Sequence, residues 1–277
     1  KNGYLHPVFS EASSSNDVSR FVKKNGKAVV KPVDTSGSKG VAVVDYMSDF
    51  EEAFDTALSF SRAKKVMVER FIKKVGPQLC GDVLVVDGKV VFSKYGDVHF
   101  DDDCNHLVPC SITVPSEHSV GIFKKIDEIC QDIFNDLNVK CGTFNVDILV
   151  EDDKVYIVEI GARNGGNLLT EVISMQSGYD LSALTLSAAV SRFTENEALD
   201  DMWMPKPVSD CCAHYVIHSD KNGILDNIIF DDSILKNIVY KKIDVNFGDK
   251  VSQFNGSNNR LGICIFKFDS IDEMNEK

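Results

Sequence analysis

An α+β fold is predicted by three features of this 277-residue sequence. β-Branched runs are joined by short turn signals, most clearly at Asp87-Gly88. Apolar residues recur at helical spacing after Ser48 and again from Ile122 to Leu137, so two amphipathic helices can each cover a sheet face. A further pair of strand-like runs, residues 143–150 and 154–160, folds back on itself across a turn centred on Asp153.

In chain order, a Ser/Asn-rich opening leads to a helix over residues 16–25, capped by Ser15, Asn16 or Asp17 and ended at Asn25-Gly26. The run 28–31 stops at Pro32, and a loop of small residues, 34–40, joins it to a second run at 41–44. Ser48-x-x-Glu51 has the pattern of a capping box, continued by Phe50, Ala53, Phe54, Ala57 and Leu58 on one face. A strand at 66–68 then completes a small α+β lobe over 18–69. Strands 79–86 and 89–94 flank the Asp87-Gly88 turn, and residues 97–115, with three consecutive aspartates and two prolines, read as a long, partly mobile loop. Ile122, Phe123, Ile126, Ile129, Cys130, Ile133, Phe134 and Leu137 mark a helix with a broad buried stripe. After the second hairpin come a Gly/Asn loop and helices near 168–176 and 180–193. Strands at 210–217, 238–245 and 261–267, with a helix within 226–236, complete the pattern.

Composition narrows the function. Hydrophobic residues at 43% and charged residues at 26% supply a sizeable core and exclude a disordered chain. No apolar run reaches membrane-spanning length. Net charge is −12 and the 30 basic residues form no stripe, which argues against nucleic acid or an anionic membrane as partner. The eight cysteines form no C-x-x-C pair and no His/Cys zinc spacing, so they are expected to be reduced, mostly buried thiols of a cytoplasmic protein. The chain starts at Lys1 without a leader and is expected to be a fragment of a longer protein.

The sharpest chemical signal is the second hairpin, whose turn places Asp147 opposite Glu159. Directly opposed residues have Cβ atoms about 4.5 to 5.5 Å apart. Two carboxylates that close need a cation or a shared proton, and Mg²⁺ is commonly held by one or two carboxylates plus phosphate oxygens. Leu149 and Ile157 are expected on the acids' side, and Val146, Ile148, Tyr156 and Val158 on the other, which shelters the acids from water. A solvent-facing strand end or a slipped register is the plainer alternative. Arg163 follows in a Gly/Asn-rich stretch, where its planar fork suits a transferring phosphoryl group or a salt bridge to Asp147 or Glu159. Lys31 ends a Val-rich strand from which its ammonium can reach phosphates. The 34–40 loop lacks the spacing of a phosphate-binding loop before a helix. Its small residues suit a nest of N–H groups or, more simply, a surface turn. At Glu69-Arg70-Phe71-Ile72 a strand ends beside an aromatic and an aliphatic residue, where backbone groups can read an adenine edge.

Taken together, residues 29–41 around Lys31, residues 66–72, Asn145-Val146-Asp147 and Glu159-Ile160-Gly161-Ala162-Arg163 resemble the ATP-grasp superfamily. The likeness is to its carboxylate-amine ligases, including amino-acid ligases, with carbamoyl-phosphate synthase and biotin carboxylase as wider relatives. It covers about residues 1–195. It implies an ATP-grasp fold in which two α+β lobes sandwich the nucleotide: a connecting segment 1–17, a lid lobe and hinge 18–72, a central ATP- and metal-binding lobe 73–200, and an extension 201–277 packed on it.

The resemblance also implies roles. Lys31 would touch the α-phosphate and adenine side, and Ser36, Gly37, Ser38, Lys39 and Gly40 would close over the β- and γ-phosphates. Glu69, Arg70, Phe71 and Ile72 would hold adenine. Gln78, where the family commonly has glutamate, would meet the ribose hydroxyls. Asp147 and Glu159 would bind Mg²⁺, with Mn²⁺ as a substitute, and Arg163 would steady an acyl-phosphate and its tetrahedral adduct. Gly161 replaces a metal-binding Asn of many members, leaving a second metal to Asn164 or Asn167. A preceding domain is usual in the family and is expected to belong to the longer protein. Asp82 reads as an exposed strand aspartate and His106 as a solvated loop histidine, although either could line a site. The implied function is an ATP-dependent ligase that converts a carboxylate to an acyl-phosphate and transfers the acyl group to an amine. Its partners would be small molecules, with a homodimer open. The alternatives are bicarbonate or purine-pathway chemistry on the same fold, and a nucleotide-binding domain without turnover.

Overall fold

The computed structural model describes residues 3–190 and 211–277. Its first six elements are β1 (Phe9–Ala12), α1 (Ser15–Asn25), β2 (Ala28–Pro32), β3 (Ala42–Val44), α2 (Phe50–Phe60) and β4 (Val66–Arg70). The four strands form one antiparallel sheet in the order β1-β4-β2-β3. Val18, Phe21 and Val22 of α1 and Ala53, Phe54 and Ala57 of α2 bury themselves with Ala28, Val30, Val66 and Val68 on one face of that sheet. Strand β1 was not expected from sequence; it pairs along β4 from Phe9↔Glu69 to Ala12↔Val66.

Two caps differ from expectation. Helix α1 is preceded by Ser14, whose hydroxyl bonds Asp17, while the Ser13 N–H donates to the same carboxylate. Helix α2 is capped by Asp49, which accepts from the N–H groups of Glu51 and Glu52, both at 3.0 Å. Ser48 is turned away, its hydroxyl engaged with Asp45.

The remaining elements are β5 (Gln78–Val86), β6 (Lys89–Asp101), β7 (Asn105–Val114), α3 (Val120–Asp136), β8 (Gly142–Glu151), β9 (Lys154–Gly161), α4 (Leu169–Ser177), α5 (Leu181–Ala189), β10 (Cys211–Ile217), β11 (Gly223–Ile224), α6 (Asp232–Leu235), β12 (Ile238–Ile243), β13 (Lys250–Val251), β14 (Gly262–Phe268) and α7 (Ile271–Glu276). Eight of the strands make one antiparallel sheet, β12-β14-β10-β7-β6-β5-β8-β9, so the C-terminal strands extend the central sheet. Asp87 and Gly88 both have positive φ, as a type I′ turn requires. The end of the helix expected over 180–193 lies outside the described residues.

Residues 97–115 are not a loop. Strands β6 and β7 run through them, and only a short turn separates the two, where the Asp101 carboxylate accepts from the N–H groups of Asp103 and Cys104. Within β7, Val108, Cys110, Ile112 and Val114 are buried at every second position, the period of a half-buried strand. The helix expected within 226–236 is limited to α6.

The large sheet has two covered faces. Ile122, Ile126, Cys130 and Phe134 of α3 pack on Leu79, Val83, Val85, Val146 and Ile148. On the opposite face Leu169, Val172 and Ile173 of α4 pack with Cys80, Val98, Ile112, Val114 and Cys212. Leu137, expected to continue the α3 stripe, caps the helix in solvent. Asp147 pairs with Cys80 and therefore lies on the α4 face. None of the eight cysteines is in a disulfide, and no helix among the described residues is long and apolar enough to cross a membrane.

Candidate functional site

The acidic hairpin brings its two carboxylates opposite each other by a route the sequence did not show. The turn is the two-residue Asp152-Asp153, both at positive φ, so the ladder starts one residue out of the expected register, with Glu151↔Lys154 and Ile148↔Ile157. A register shift at Val158 restores the difference and sets Asp147↔Glu159. The same offset moves Tyr156, paired with Leu149, onto the acids' face, and sends Ile157 to the α3 core. That reverses the sides expected for these two residues. The shelter is also uneven, because Asp147 is half-buried while Glu159 is exposed. Burial raises the Asp147 pKa, and the Glu159 charge adds to the rise, opposed by the Cys80 thiol and Arg163.

Beneath the acids is a buried polar network. Asp82 is only 1% exposed, which overturns its reading as a surface aspartate. It accepts from Asn145 Nδ2 at 3.1 Å, from the Gly165 N–H at 2.8 Å and from Thr170 Oγ1 at 3.0 Å. Burial raises its pKa despite these donors. Asn145 also donates to the Gly81 carbonyl and accepts from Arg163 Nη1 at 3.3 Å. One buried carboxylate thereby ties β5, β8 and the loop after β9 together. Neither Asp82 nor Asn145 was singled out by sequence as a positioning group.

Arg163 is exposed and donates to the Asn164 carbonyl as well as to Asn145. Its guanidinium hydrogen-bonds Asn145 and the Asn164 carbonyl, and it acts on Asp147 as a nearby charge that lowers the acid's pKa. Asn164 exchanges hydrogen bonds with Thr185 of α5, and Asn167 accepts from Arg260 at 3.4 Å. A Cβ built on Gly161 would meet only the Arg163 side chain, at 3.7 Å.

From the small lobe, Lys31 Nζ donates to Glu69 Oε1 at 2.6 Å, joining two residues expected to serve different parts of one nucleotide. In the 34–40 loop Ser36, Gly37 and Lys39 are exposed, Ser38 and Gly40 half-buried. Gly37, Ser38 and Gly40 have positive φ, which turns successive peptide groups in a nest-like way. Asp34 anchors the base of the loop by accepting from Ser61 Oγ and the Ala63 N–H. At the tip, a Cβ on Gly37 would lie 3.2 Å from Ser257 Oγ, so the loop reaches the C-terminal extension. Ser257 begins the 3-10 turn Ser257–Asn259 that leads to Arg260, and Arg260 donates to Asn167 in the loop after β9. Ser257 and Arg260 were missed by sequence; only the fold brings them to the 34–40 loop and to Asn167.

The hinge is more occupied than expected. The Arg70 N–H donates to the Val8 carbonyl and the Phe71 N–H to the Lys27 carbonyl. The Arg70 guanidinium grips Glu151 at 3.0 and 2.7 Å, and the Lys27 ammonium sits 4.5 Å from the centre of the Phe71 ring. Ile72 is buried, and Gln78 is half-buried opposite Val98. His106 is exposed on β7, outside this cluster.

Comparison with known proteins bears on the fold and the family. Residues 1–168 match the model of the ATP-grasp domain. The carbamoyl phosphate synthase large chain of Pseudothermotoga lettingae is 26% identical over 172 residues, 59% of this chain and 15% of its own length. A D-alanine–D-alanine ligase of Bradyrhizobium is 24% identical over 161 residues, 55% of this chain and 43% of its own. The chain thus spans less than half the length of these curated relatives. Among solved structures, an L-amino acid ligase from Bacillus licheniformis superposes with a TM-score of 0.77 at 19% identity, covering 99% of this chain and 66% of that one. With the match to the family model extending over more than half of its residues, the chain belongs to the ATP-grasp family.

Proposed function

We propose that this chain is the nucleotide- and metal-binding part of a ligase that uses ATP to join a carboxylate to an amine. The observation that carries the reading is the Asp147↔Glu159 pair on the sheet face crossed by the hinge of the small lobe. Two opposed carboxylates, one of them with a pKa raised by burial and by its neighbour's charge, form a site whose electrostatics favour a divalent cation. Bound there, Mg²⁺ or Mn²⁺ would neutralise phosphate charge as it shifts to the leaving ADP.

In this reading the small lobe, residues 18–72 with β1 at its edge, is the lid. The central lobe, 73–200, would hold the metal, and the strands from β10 onward extend the same sheet. Lys31, held by Glu69, faces the α-phosphate side. Ser36, Gly37, Ser38, Lys39 and Gly40 surround the β- and γ-phosphates, and Arg70, Phe71, Ile72 and Gln78 border the nucleoside. Arg163, oriented through Asn145 and Asp82, holds the transferred phosphoryl group. A substrate carboxylate oxygen attacks the γ-phosphorus as ADP leaves; an amine then attacks the acyl carbon and inorganic phosphate leaves. Positioning and charge neutralisation are what such a transfer requires of the protein. The acid and amine would be small molecules and the setting the cytoplasm, a reading supported by eight reduced cysteines.

The test is ADP release by the full-length protein against a panel of amino acids and bicarbonate, with product mass recorded. Release that depends on both an acid and an amine, with formation of their amide, is expected. Release with bicarbonate alone would transfer the assignment to carboxyphosphate chemistry, and no release with any pair would remove the ligase reading.

A further inference from the structure

Away from the acid pair, three side chains from distant parts of the chain converge. They are Asp101 at the end of β6, Cys104 in the following turn and His218 just after β10, and their donor atoms all lie within 4.8 Å of one another. The His218 side chain is only 3% exposed and stacks on the buried Phe254 ring at 4.4 Å.

The imidazole's two contacts constrain its protons. Nδ1 is 2.7 Å from the Val216 carbonyl oxygen. A carbonyl only accepts, so Nδ1 carries hydrogen. Nε2 is 2.8 Å from Asp101 Oδ2, a second acceptor. With Nδ1–H directed at the Val216 carbonyl, the Nε2 lone pair and Asp101 Oδ2 face each other as two donor atoms that one cation can share. An Nδ1–H donated to a backbone carbonyl is also the usual way a metal-binding histidine is oriented. Cys104 supplies sulfur on the third side.

We propose that Asp101, Cys104 and His218 bind a zinc-class transition-metal ion, distinct from the Mg²⁺ site proposed for the acid pair. Imidazole, thiolate and carboxylate together suit Zn²⁺ or Co²⁺, whereas Mg²⁺ takes oxygen donors. A tetrahedral ion with N and O ligands at about 2.0 to 2.1 Å sets them about 3.3 Å apart. An ion between His218 Nε2 and Asp101 Oδ2 would part them by a fraction of an ångström, and the Cys104 thiol, now turned to the Ser219 carbonyl, would release its proton to solvent, as would any proton held between the other two ligands. Water fills the fourth position. Asp101 and His218 line a cavity of about 760 Å³, through which ion and water reach the site.

The site would also brace the cleft. The Phe254 N–H donates to the Ser219 carbonyl, and Phe254 opens the segment that carries Ser257 to the tip of the 34–40 loop. Metal bound at His218 would fix that segment against β6 and β10.

The experiment titrates Co²⁺ into chelator-stripped protein carrying Asp147→Ala and Glu159→Ala, which silences the acid pair so that this proposal stands or falls separately. One equivalent is expected to give four-coordinate ligand-field bands and a thiolate-to-cobalt charge-transfer band, displaced by Zn²⁺ and untouched by excess Mg²⁺. Adding Cys104→Ser should abolish the charge-transfer band, and His218→Gln should weaken binding by at least about tenfold. Cys141→Ser, at the exposed cysteine, should change neither. Circular dichroism confirms that each variant is folded. Absence of the thiolate band in the parent, or its survival in Cys104→Ser, would overturn the proposal.

Discussion

Glu159 stands opposite Asp147 because Val158 is left out of the ladder between β8 and β9. Without that shift Glu159 would pair with Val146 and turn to the α3 face, away from the cleft. The bulge therefore creates the acid pair, at the cost of holding Asp147 half-buried beside a like charge.

Replacing Asp147 by Asn should stabilise the protein while removing its metal. A carboxyl whose folded pKa is raised binds protons more readily in the folded state, so stability falls as pH rises from the ordinary aspartate value through the raised one. The loss is complete above the raised value and absent below about 3.9. In EDTA, Asp147→Asn is expected to melt about 2 °C higher than the parent at about pH 7.5 and at the same temperature at about pH 3. Thermal melts at the two pH values check this.

The hinge is pinned by Arg70 and Glu151. The carboxylate takes both guanidinium nitrogens and also the Lys73 N–H at 2.8 Å. The Arg70 hydrogen bond is the main cause that depresses the Glu151 pKa. Its contribution is full above the ordinary glutamate value of about 4.3 and is lost as pH falls through the depressed one. Glu151→Gln should cost about 1 kcal/mol at neutral pH, since the pair is partly solvated. Urea midpoints measured from neutral to acid pH should show the difference from wild type shrinking.

Asp82 acts on Arg163 through Asn145 and the Gly165 N–H. Asp82→Ala takes the acceptor from the Gly165 N–H and the buried Thr170 hydroxyl, at about 2 kcal/mol, while Asn145 keeps its bond to the Gly81 carbonyl. Turnover should fall at least tenfold with ATP affinity little changed, because the loop after β9 loses its register while the acid pair stays. Comparing kcat with the calorimetric Kd for Mg-ATP separates this from general unfolding.

Gly161 has room for a side chain, its nearest obstacle being the movable Arg163. Gly161→Asn is expected to fold normally and to lower the Mn²⁺ concentration needed for half-maximal ATP binding by about tenfold, one added oxygen ligand. A Mn²⁺ titration followed by paramagnetic relaxation measures it.

Much of this was legible in the residues. The α2 and α3 stripes, the end of α1 at Asn25-Gly26, the Asp87-Gly88 hairpin and the meeting of Asp147 with Glu159 follow from local periodicity and turn chemistry. The acid pair was reached through two errors that cancel: the turn lies at Asp152-Asp153, and a bulge makes up the difference. The second half of β6 and all of β7 were hidden by aspartates and prolines that look like loop, although Val108, Cys110, Ile112 and Val114 carry a two-residue period. Ser257, Arg260 and His218 could not be placed, because only the docking of β10 and β14 onto the large sheet carries them to their partners. Burial of Asp82 is likewise a consequence of α4 lying over the sheet, which no local pattern encodes.

The most direct measurement is calorimetric titration of Mg-ATP into the wild-type chain and into the variant with Asp147→Ala and Glu159→Ala, matched by circular dichroism. Wild type is expected to bind with an affinity that falls when Mg²⁺ is withheld, and the variant to bind at least about a hundredfold more weakly, roughly 2.7 kcal/mol. Equal affinity in the two proteins would show that the opposed carboxylates do not gather the metal-nucleotide.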